Sequence, residues 1–216
     1  NNMQKITRKH LRPFLERYAT DTVVLEIGGG RVSTNHSYED LFPNRHTYDL
    51  DPIRQPDTVG DAHNLLFGDD SFECVLCTEV LEHLHTPQKA IDEMKRVLRP
   101  GGTLILTTRF VFPIHDAPND YFRYTKYGLQ HLFRDWEMIE LIPETKTMSA
   151  IGALIQRVGF QSVVKGGKLS KAVLYGLAWT FDHLNSLVKA EYGDIKKESV
   201  ETDIITTGYY LVAKKK

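Results

Sequence analysis

A mostly parallel α/β sheet is the fold class this sequence predicts, and three observations predict it. Short apolar runs stop abruptly at glycine or aspartate, as buried parallel strands do. One strongly amphipathic helix with a clear start lies between two such runs. The order is strand, helix, strand, which right-handed crossovers turn into a parallel sheet.

The elements follow in order. Residues 4–18 place Ile6, Leu11, Phe14, Leu15 and Tyr18 near helical spacing, with Pro13 set to kink or split the helix. Residues 23–27 form an apolar run that ends at Gly28-Gly29-Gly30, a buried strand and its turn. Strands follow at 46–50, stopped by Asp51-Pro52, at 58–60, and at 72–77. Thr86 as N-cap and Pro87 at the first helical position open a helix whose stripe is Ala90, Ile91, Met94, Val97 and Leu98. Pro100-Gly101-Gly102 ends it, and 103–108 is the fifth strand. A helix at 125–133 and a strand at 136–142 come next. Residues 148–190 have helical spacing, with Ile151, Leu154, Ile155 and Val158 in one stripe, a break at Gly166-Gly167, and a second stripe of Val173, Leu177, Phe181, Leu184 and Val188. A β-rich run at 204–212 closes the chain.

Composition bounds the function. The chain has 216 residues, 41% hydrophobic and 25% charged, which suits one folded domain over 1–216 rather than a disordered chain. A formal net charge of -1 argues against nucleic acid as a partner. No apolar run approaches the ~18 residues of a membrane span, and no signal-peptide pattern is read ahead of the first helical segment, so a cytoplasmic location is expected. The two cysteines, Cys74 and Cys77, lie three apart on one strand and so face opposite sides, which makes them structural rather than a redox pair.

The glycine loop at 28–30 lets a ligand approach the backbone closely. Asp49 ends the next strand 21 residues after Gly28, the spacing at which a carboxylate takes the hydroxyls of a ribose. Asp61, in Gly60-Asp61-Ala62, is placed to accept from an adenine amine. An NAD fingerprint needs glycine at the position of Ser33, so a nucleoside without a pyrophosphate is favoured.

Five segments in order carry a resemblance: Val24-Leu25-Glu26-Ile27-Gly28-Gly29-Gly30, Tyr48-Asp49-Leu50-Asp51, Gly60-Asp61-Ala62, Thr78-Glu79-Val80-Leu81-Glu82-His83 and Leu98-Arg99-Pro100-Gly101-Gly102. Together they resemble class I S-adenosylmethionine-dependent methyltransferases of the type 11 group, closely over residues 23–110 and more loosely over 111–133. The resemblance implies a doubly wound, seven-stranded, Rossmann-like sheet with an antiparallel last strand, and a helical insert near the C-terminus. It implies S-adenosylmethionine as cofactor and S-adenosylhomocysteine as product. Glu26, Gly28, Gly29 and Gly30 would hold the methionine end, Asp49 the ribose, Leu50 and Ala62 the adenine surroundings, and Asp61 the adenine amine. Thr78 and Glu79 would line the cleft. Val32 stands where the family has its third glycine, and 31–37 make a poor first helix.

The strand end Cys77-Thr78-Glu79-Val80 lacks the Asn/Asp-Pro-Pro-Tyr/Phe segment of amino-methylating nucleic-acid enzymes and the Pro-Cys pair of cytosine carbon methylation. Polar interest centres on the loop after the fifth strand, at the carboxyl end where open sheets build sites. His115 is the candidate base, with Asp116 or Asp120 to orient it. His83, Arg109, Tyr121, Arg123 and Tyr124 are the candidate acceptor-binding residues. The His-Asp-x-Pro…Asp-Tyr-x-Arg-Tyr-Thr stretch also resembles methyltransferases of surface-glycan and secondary-metabolite pathways. That implies a small-molecule acceptor, a sugar or other hydroxylated metabolite methylated on oxygen. Alternatives are a lipid-linked or quinone-like acceptor and a non-catalytic, cofactor-binding partner subunit. The insert, with Tyr175, Trp179 and Phe181, is where a cover over the acceptor, a membrane-surface contact or a homodimer seam would lie. His10, His36, His46, His63, His131 and His183 are scattered, so no metal site is expected from local spacing.

Overall fold

The computed structural model describes residues 5–32 and 38–216; Ser33, His36 and most of the poor helix at 31–37 lie outside them. The chain divides into two units. The larger spans Arg12–Arg109, Ile114–Ile142 and Tyr209–Lys216. The smaller takes in Phe110–Pro113, Pro143–Gly208 and the described residues before Arg12.

The larger unit is built on a seven-stranded sheet. Its strands are β1 (Val24–Ile27), β2 (Arg45–Asp49), β3 (Thr58–Val59), β4 (Phe72–Thr78), β5 (Leu98–Arg109), β6 (Trp136–Pro143) and β9 (Gly208–Lys215), in the order β3-β2-β1-β4-β5-β9-β6. The pairs β1–β2, β1–β4, β2–β3 and β4–β5 are parallel, and β9 is antiparallel. The sheet is thus doubly wound, Rossmann-like and seven-stranded, with the antiparallel last strand that the resemblance implies. Ile27 lies opposite both Tyr48 and Cys77, so β1, β2 and β4 end together. Strand order reverses between β1 and β4, the switch point at whose carboxyl ends such sheets bind ligands.

Helix α2 (Pro87–Val97) buries Ala90, Ile91, Met94 and Val97 of the predicted stripe, but Leu98 has an extended backbone (φ -73°, ψ 141°), so it and Pro100-Gly101-Gly102 belong to β5, which starts at Leu98 rather than 103. Helix α3 (Lys126–Leu132) starts at Thr125, whose hydroxyl accepts from the Gly128 amide at 3.0 Å. The predicted first helix is shorter than expected: α1 spans Leu11–Glu16, because Arg8 takes a left-handed φ of 64° that ends any helix before it. Pro13 is tolerated since it sits in the first turn, where an amide has no intrahelical partner. Cys74 and Cys77 are free and buried, and burial pushes the Cys74 thiol up to about 12.

In the smaller unit, α4 (Thr147–Gln161) and α5 (Gly167–His183) form the predicted insert, with a two-stranded β7–β8 ribbon (Glu191–Tyr192, Val200–Glu201) that the sequence did not suggest. The predicted apolar stripes are corrected. Small residues face inward: Ala150, Gly152, Ala153 and Gly159 of α4 and Ala178 of α5 are buried. A Cβ at Gly152 would fall 2.6 Å from the Ala178 carbonyl oxygen, so the helices approach too closely for larger side chains there. Val158, Val173 and Leu177 are exposed instead. The last strand begins at Gly208 rather than 204, because Thr206 and Thr207 are held by Thr145, whose hydroxyl accepts from the Thr207 amide at 3.0 Å.

Candidate active site

The candidate cofactor half of the site is built from the ends of β1, β2 and β4. Gly28 takes a φ of 79°, the left-handed region that favours glycine, and its amide donates to the Tyr48 carbonyl at 2.8 Å. Glu26 is buried beneath Gly29. Its carboxylate pairs with Arg45 at 2.9 Å, and the Tyr38 hydroxyl donates to it at 3.4 Å. The same Tyr38 hydroxyl lies 3.0 Å from the Thr78 hydroxyl. Gly30 packs against the Arg54 backbone, and the Arg54 guanidinium donates to the Gly28 carbonyl at 3.3 Å.

Asp49, at the end of β2, accepts from the Asp51 amide at 2.8 Å and lies 3.6 Å from Arg54. Burial raises its carboxyl above the usual range. Leu50 beside it is 70% exposed, an apolar side chain left at the surface next to that acid. Asp61 accepts from the His63 amide at 2.8 Å and meets the His63 ring at 2.6 Å, and Ala62 is buried beside it. Desolvation works against the Asp61 charge, yet those His63 contacts hold its carboxyl below the usual range. A partly desolvated carboxylate, an exposed leucine next to it, and a second carboxylate on a neighbouring loop are a donor set that fits an adenosine group.

The candidate acceptor half is built around the turn after β4, Leu81–His83, and the loop after β5. Glu82 is fully buried. Its Oε2 accepts from the Thr108 hydroxyl at 2.9 Å, and its Oε1 faces His115 Nε2 at 3.9 Å. Burial, with the nearby Glu79 charge, raises the Glu82 carboxyl. Asp120 approaches the His115 ring, with Oδ2 3.5 Å from Nδ1, and also accepts from the His115 amide at 2.9 Å. Arg123 donates to both Asp120 oxygens at 2.6 and 2.7 Å and holds that carboxyl down at about 2. Asp116, the other expected partner of His115, instead lies 3.9 Å from His83 Nε2. The His83 and His115 rings meet edge to face at 4.7 Å, and burial, with the neighbouring His83, lowers the His115 imidazole.

Two expectations about acceptor contacts are corrected. Arg109 is buried, and its guanidinium pairs with Glu79, so neither is presented to a ligand as a free charge. The Tyr124 side chain is also buried, and its hydroxyl donates to the Leu81 carbonyl at 3.0 Å. Both residues brace the site, since the Tyr124 amide also donates to the Arg109 carbonyl at 2.9 Å. Tyr121 is about half exposed, with its hydroxyl on Asn119. Glu82, Tyr38, Arg45 and Thr108 were not singled out from the sequence. For Glu82 a signal existed: it is the second acid of Thr78-Glu79-Val80-Leu81-Glu82-His83.

Residues 25–106 match the family described as Methyltransferase domain. A demethylmenaquinone methyltransferase from Paenarthrobacter aurescens is 38% identical over 101 residues, covering 42% of this chain and 40% of that protein. The chain spans less than half the length of this and other curated relatives. Two solved structures share the fold. The 1,6-didemethyltoxoflavin-N1-methyltransferase of Burkholderia thailandensis, solved with S-adenosylhomocysteine, has a TM-score of 0.55 at 13% identity, covering 96% of this chain and 78% of that one. The YcgJ protein of Bacillus subtilis has a TM-score of 0.55 at 16% identity, covering 95% and 97%. The fold is that of class I S-adenosylmethionine-dependent methyltransferases, and residues 25–106 of this chain match a methyltransferase domain.

Proposed function

We propose that the protein transfers the methyl group of S-adenosylmethionine to the oxygen of a small hydroxylated acceptor, a sugar or similar metabolite. One observation carries this reading: two carboxylates suited to a nucleoside, Asp49 and Asp61, and a polar cluster of Glu82, His115 and Asp120 are set around the strand ends of the same sheet. Bound S-adenosylmethionine supplies an electrophilic methyl group, so the protein's work is mainly positioning. Asp49 and the 28–30 loop bind, with Leu50 as the apolar contact. With that cofactor bound, the acceptor hydroxyl oxygen would take the methyl group as the carbon–sulfur bond breaks, and the pair of that bond would stay on sulfur. The acceptor proton passes to His115 Nε2, with Asp120 beside Nδ1 to orient the ring. Thr108 fixes Glu82, which faces the same Nε2.

Calorimetric titration with S-adenosylmethionine, S-adenosylhomocysteine and NAD tests the cofactor. Binding of the first two and not of NAD is expected; no binding of the adenosyl-sulfur ligands would return the partner-subunit reading. A quinone-like acceptor is the second reading, favoured by the demethylmenaquinone methyltransferase relative and by exposed Leu169, Val173, Leu177 and Trp179 on α5. An acceptor screen with sugars in one arm and a demethylated naphthoquinone in the other separates the two. Turnover of the naphthoquinone alone would replace the hydroxylated acceptor. Among the described residues no helix is long and apolar enough to cross a membrane.

A further inference from the structure

We propose that Glu82, His83 and His115 form a binding site for one divalent transition-metal ion, of the zinc, cobalt, manganese or ferrous class. One potential ligand atom from each residue lies within 4.8 Å of the other two. Glu82 supplies the decisive observation. It is fully buried, its Oε2 is satisfied by Thr108, and its Oε1 accepts no hydrogen bond while facing His115 Nε2 at 3.9 Å. A carboxylate oxygen taken out of water without a partner is costly, and a cation at that point removes the cost.

The histidines are arranged as metal ligands are. His83 Nδ1 is 2.6 Å from the Asn119 carbonyl oxygen, which can only accept. Nδ1 therefore carries the hydrogen, and in the neutral ring Nε2 holds the lone pair. A ring nitrogen tied to a carbonyl or carboxylate, with the other nitrogen left to coordinate, is the outer-shell arrangement of metal-bound histidine. His115 turns Nε2 to Glu82, and Asp120 Oδ2 lies 3.5 Å from its Nδ1, close but not hydrogen-bonded to the ring. The ligands are fixed by backbone as well: the Glu82 carbonyl accepts from the Tyr121 and Phe122 amides at 3.0 and 3.2 Å. Metal–nitrogen and metal–oxygen bonds of about 2.1 Å put tetrahedral ligands roughly 3.4 Å apart, so binding draws Glu82 and His115 together by about half an ångström. Two imidazoles and one carboxylate suit these ions better than magnesium or calcium, which prefer all-oxygen sites. Three ligands leave a position open. Asp116, 3.9 Å from His83 Nε2, stands beside it.

The ion's binding is independent of the methyl-transfer reading; its role in turnover rests on that reading. An acceptor hydroxyl on the open position would lose its proton more readily, and His115 Nε2 would then be a ligand and not the base.

The test is a titration of the untagged, chelator-stripped full chain with cobalt(II) chloride. Visible absorption reports low-coordinate cobalt, zinc competes it away, and S-adenosylmethionine calorimetry runs on the same samples. Saturable uptake of one ion per chain is expected, weakened at least tenfold in His83→Gln, His115→Gln and Glu82→Gln. Each variant's circular dichroism melt is taken without metal, and a variant that does not fold is set aside for the other two. No cobalt spectrum in the wild type, or full uptake in the folded variants, overturns the site. Cofactor binding without cobalt binding removes the metal and leaves the methyltransferase reading standing; cobalt binding without cofactor binding does the reverse. If both bind, chelator-insensitive turnover would refute the ion's role in the reaction and keep His115 as base.

Discussion

Arg109 and Glu79 pair as ions in the interior, where β5 and β4 end side by side. Their side chains are 2% and 8% exposed, and the Thr107 hydroxyl donates to the second Glu79 oxygen at 2.9 Å. Removing one member leaves a buried charge uncompensated. Arg109→Met should therefore destabilise the fold by about 3–5 kcal/mol, while adding Glu79→Gln to it should restore most of the loss. Urea denaturation of the two variants beside the wild type measures both. A single variant that unfolds at the wild-type midpoint would show that the pair contributes nothing.

Asp49 and Asp61 are not equal partners for a nucleoside. The Asp49 side chain is 11% exposed and is held by one amide, whereas Asp61 is 51% exposed and already engaged with His63. A hydrogen bond in the drier place counts for more. Asp49→Ala should weaken S-adenosylmethionine binding by about 1–3 kcal/mol, and Asp61→Ala by the lower end of that range. Calorimetry on both variants gives the comparison. Unchanged affinity in both would detach the cofactor from these strand ends.

Two threonines at helix starts look alike in sequence and differ in structure. Thr125 accepts from the Gly128 amide, but Thr86 makes no cap bond to α2 and its hydroxyl instead meets His85 Nδ1 at 2.8 Å. Thr125→Ala should cost about 1 kcal/mol, and Thr86→Ala only a few tenths. Paired thermal melts decide it; equal losses would mean that the Thr86 hydroxyl supports its helix after all.

Local features of the sequence were legible, and features that depend on distant partners were not. β1, β2, β4 and α2 could be read because each is set by its own apolar pattern and its own stop residues. The candidate cofactor side could be proposed for the same reason: a glycine turn and strand-end acids lie within short stretches of chain. The approach of Glu82 to His115 brings together residues more than thirty positions apart and exists only once β4 and β5 are neighbours. Arg109 read as the first residue of a polar loop, yet it is the last of a buried strand, and Glu79 explains how the interior tolerates it. The faces of α4 and α5 were misread because hydrophobicity marked the bulky residues, while close helix approach selected the small ones.

Acid should loosen the β2–β3 edge. Asp57 accepts from the Thr47 amide at 3.0 Å and from its hydroxyl at 2.9 Å, and pairs with Arg31 at 2.9 Å. The Thr47 amide, with help from Arg31, holds the Asp57 carboxyl down at about 2, below the ordinary 3.8. A carboxyl depressed in the folded state binds its proton more weakly there than in the unfolded chain. Its contribution to stability is therefore complete above the unfolded value and is lost as pH falls from about 4 through about 2. Asp57→Asn removes the charge at every pH. The variant should unfold at lower urea than the wild type at neutral pH, and the gap should narrow as pH falls through that window. A gap that stays constant from neutral pH to about 2 would show that the Asp57 charge is not what holds this edge.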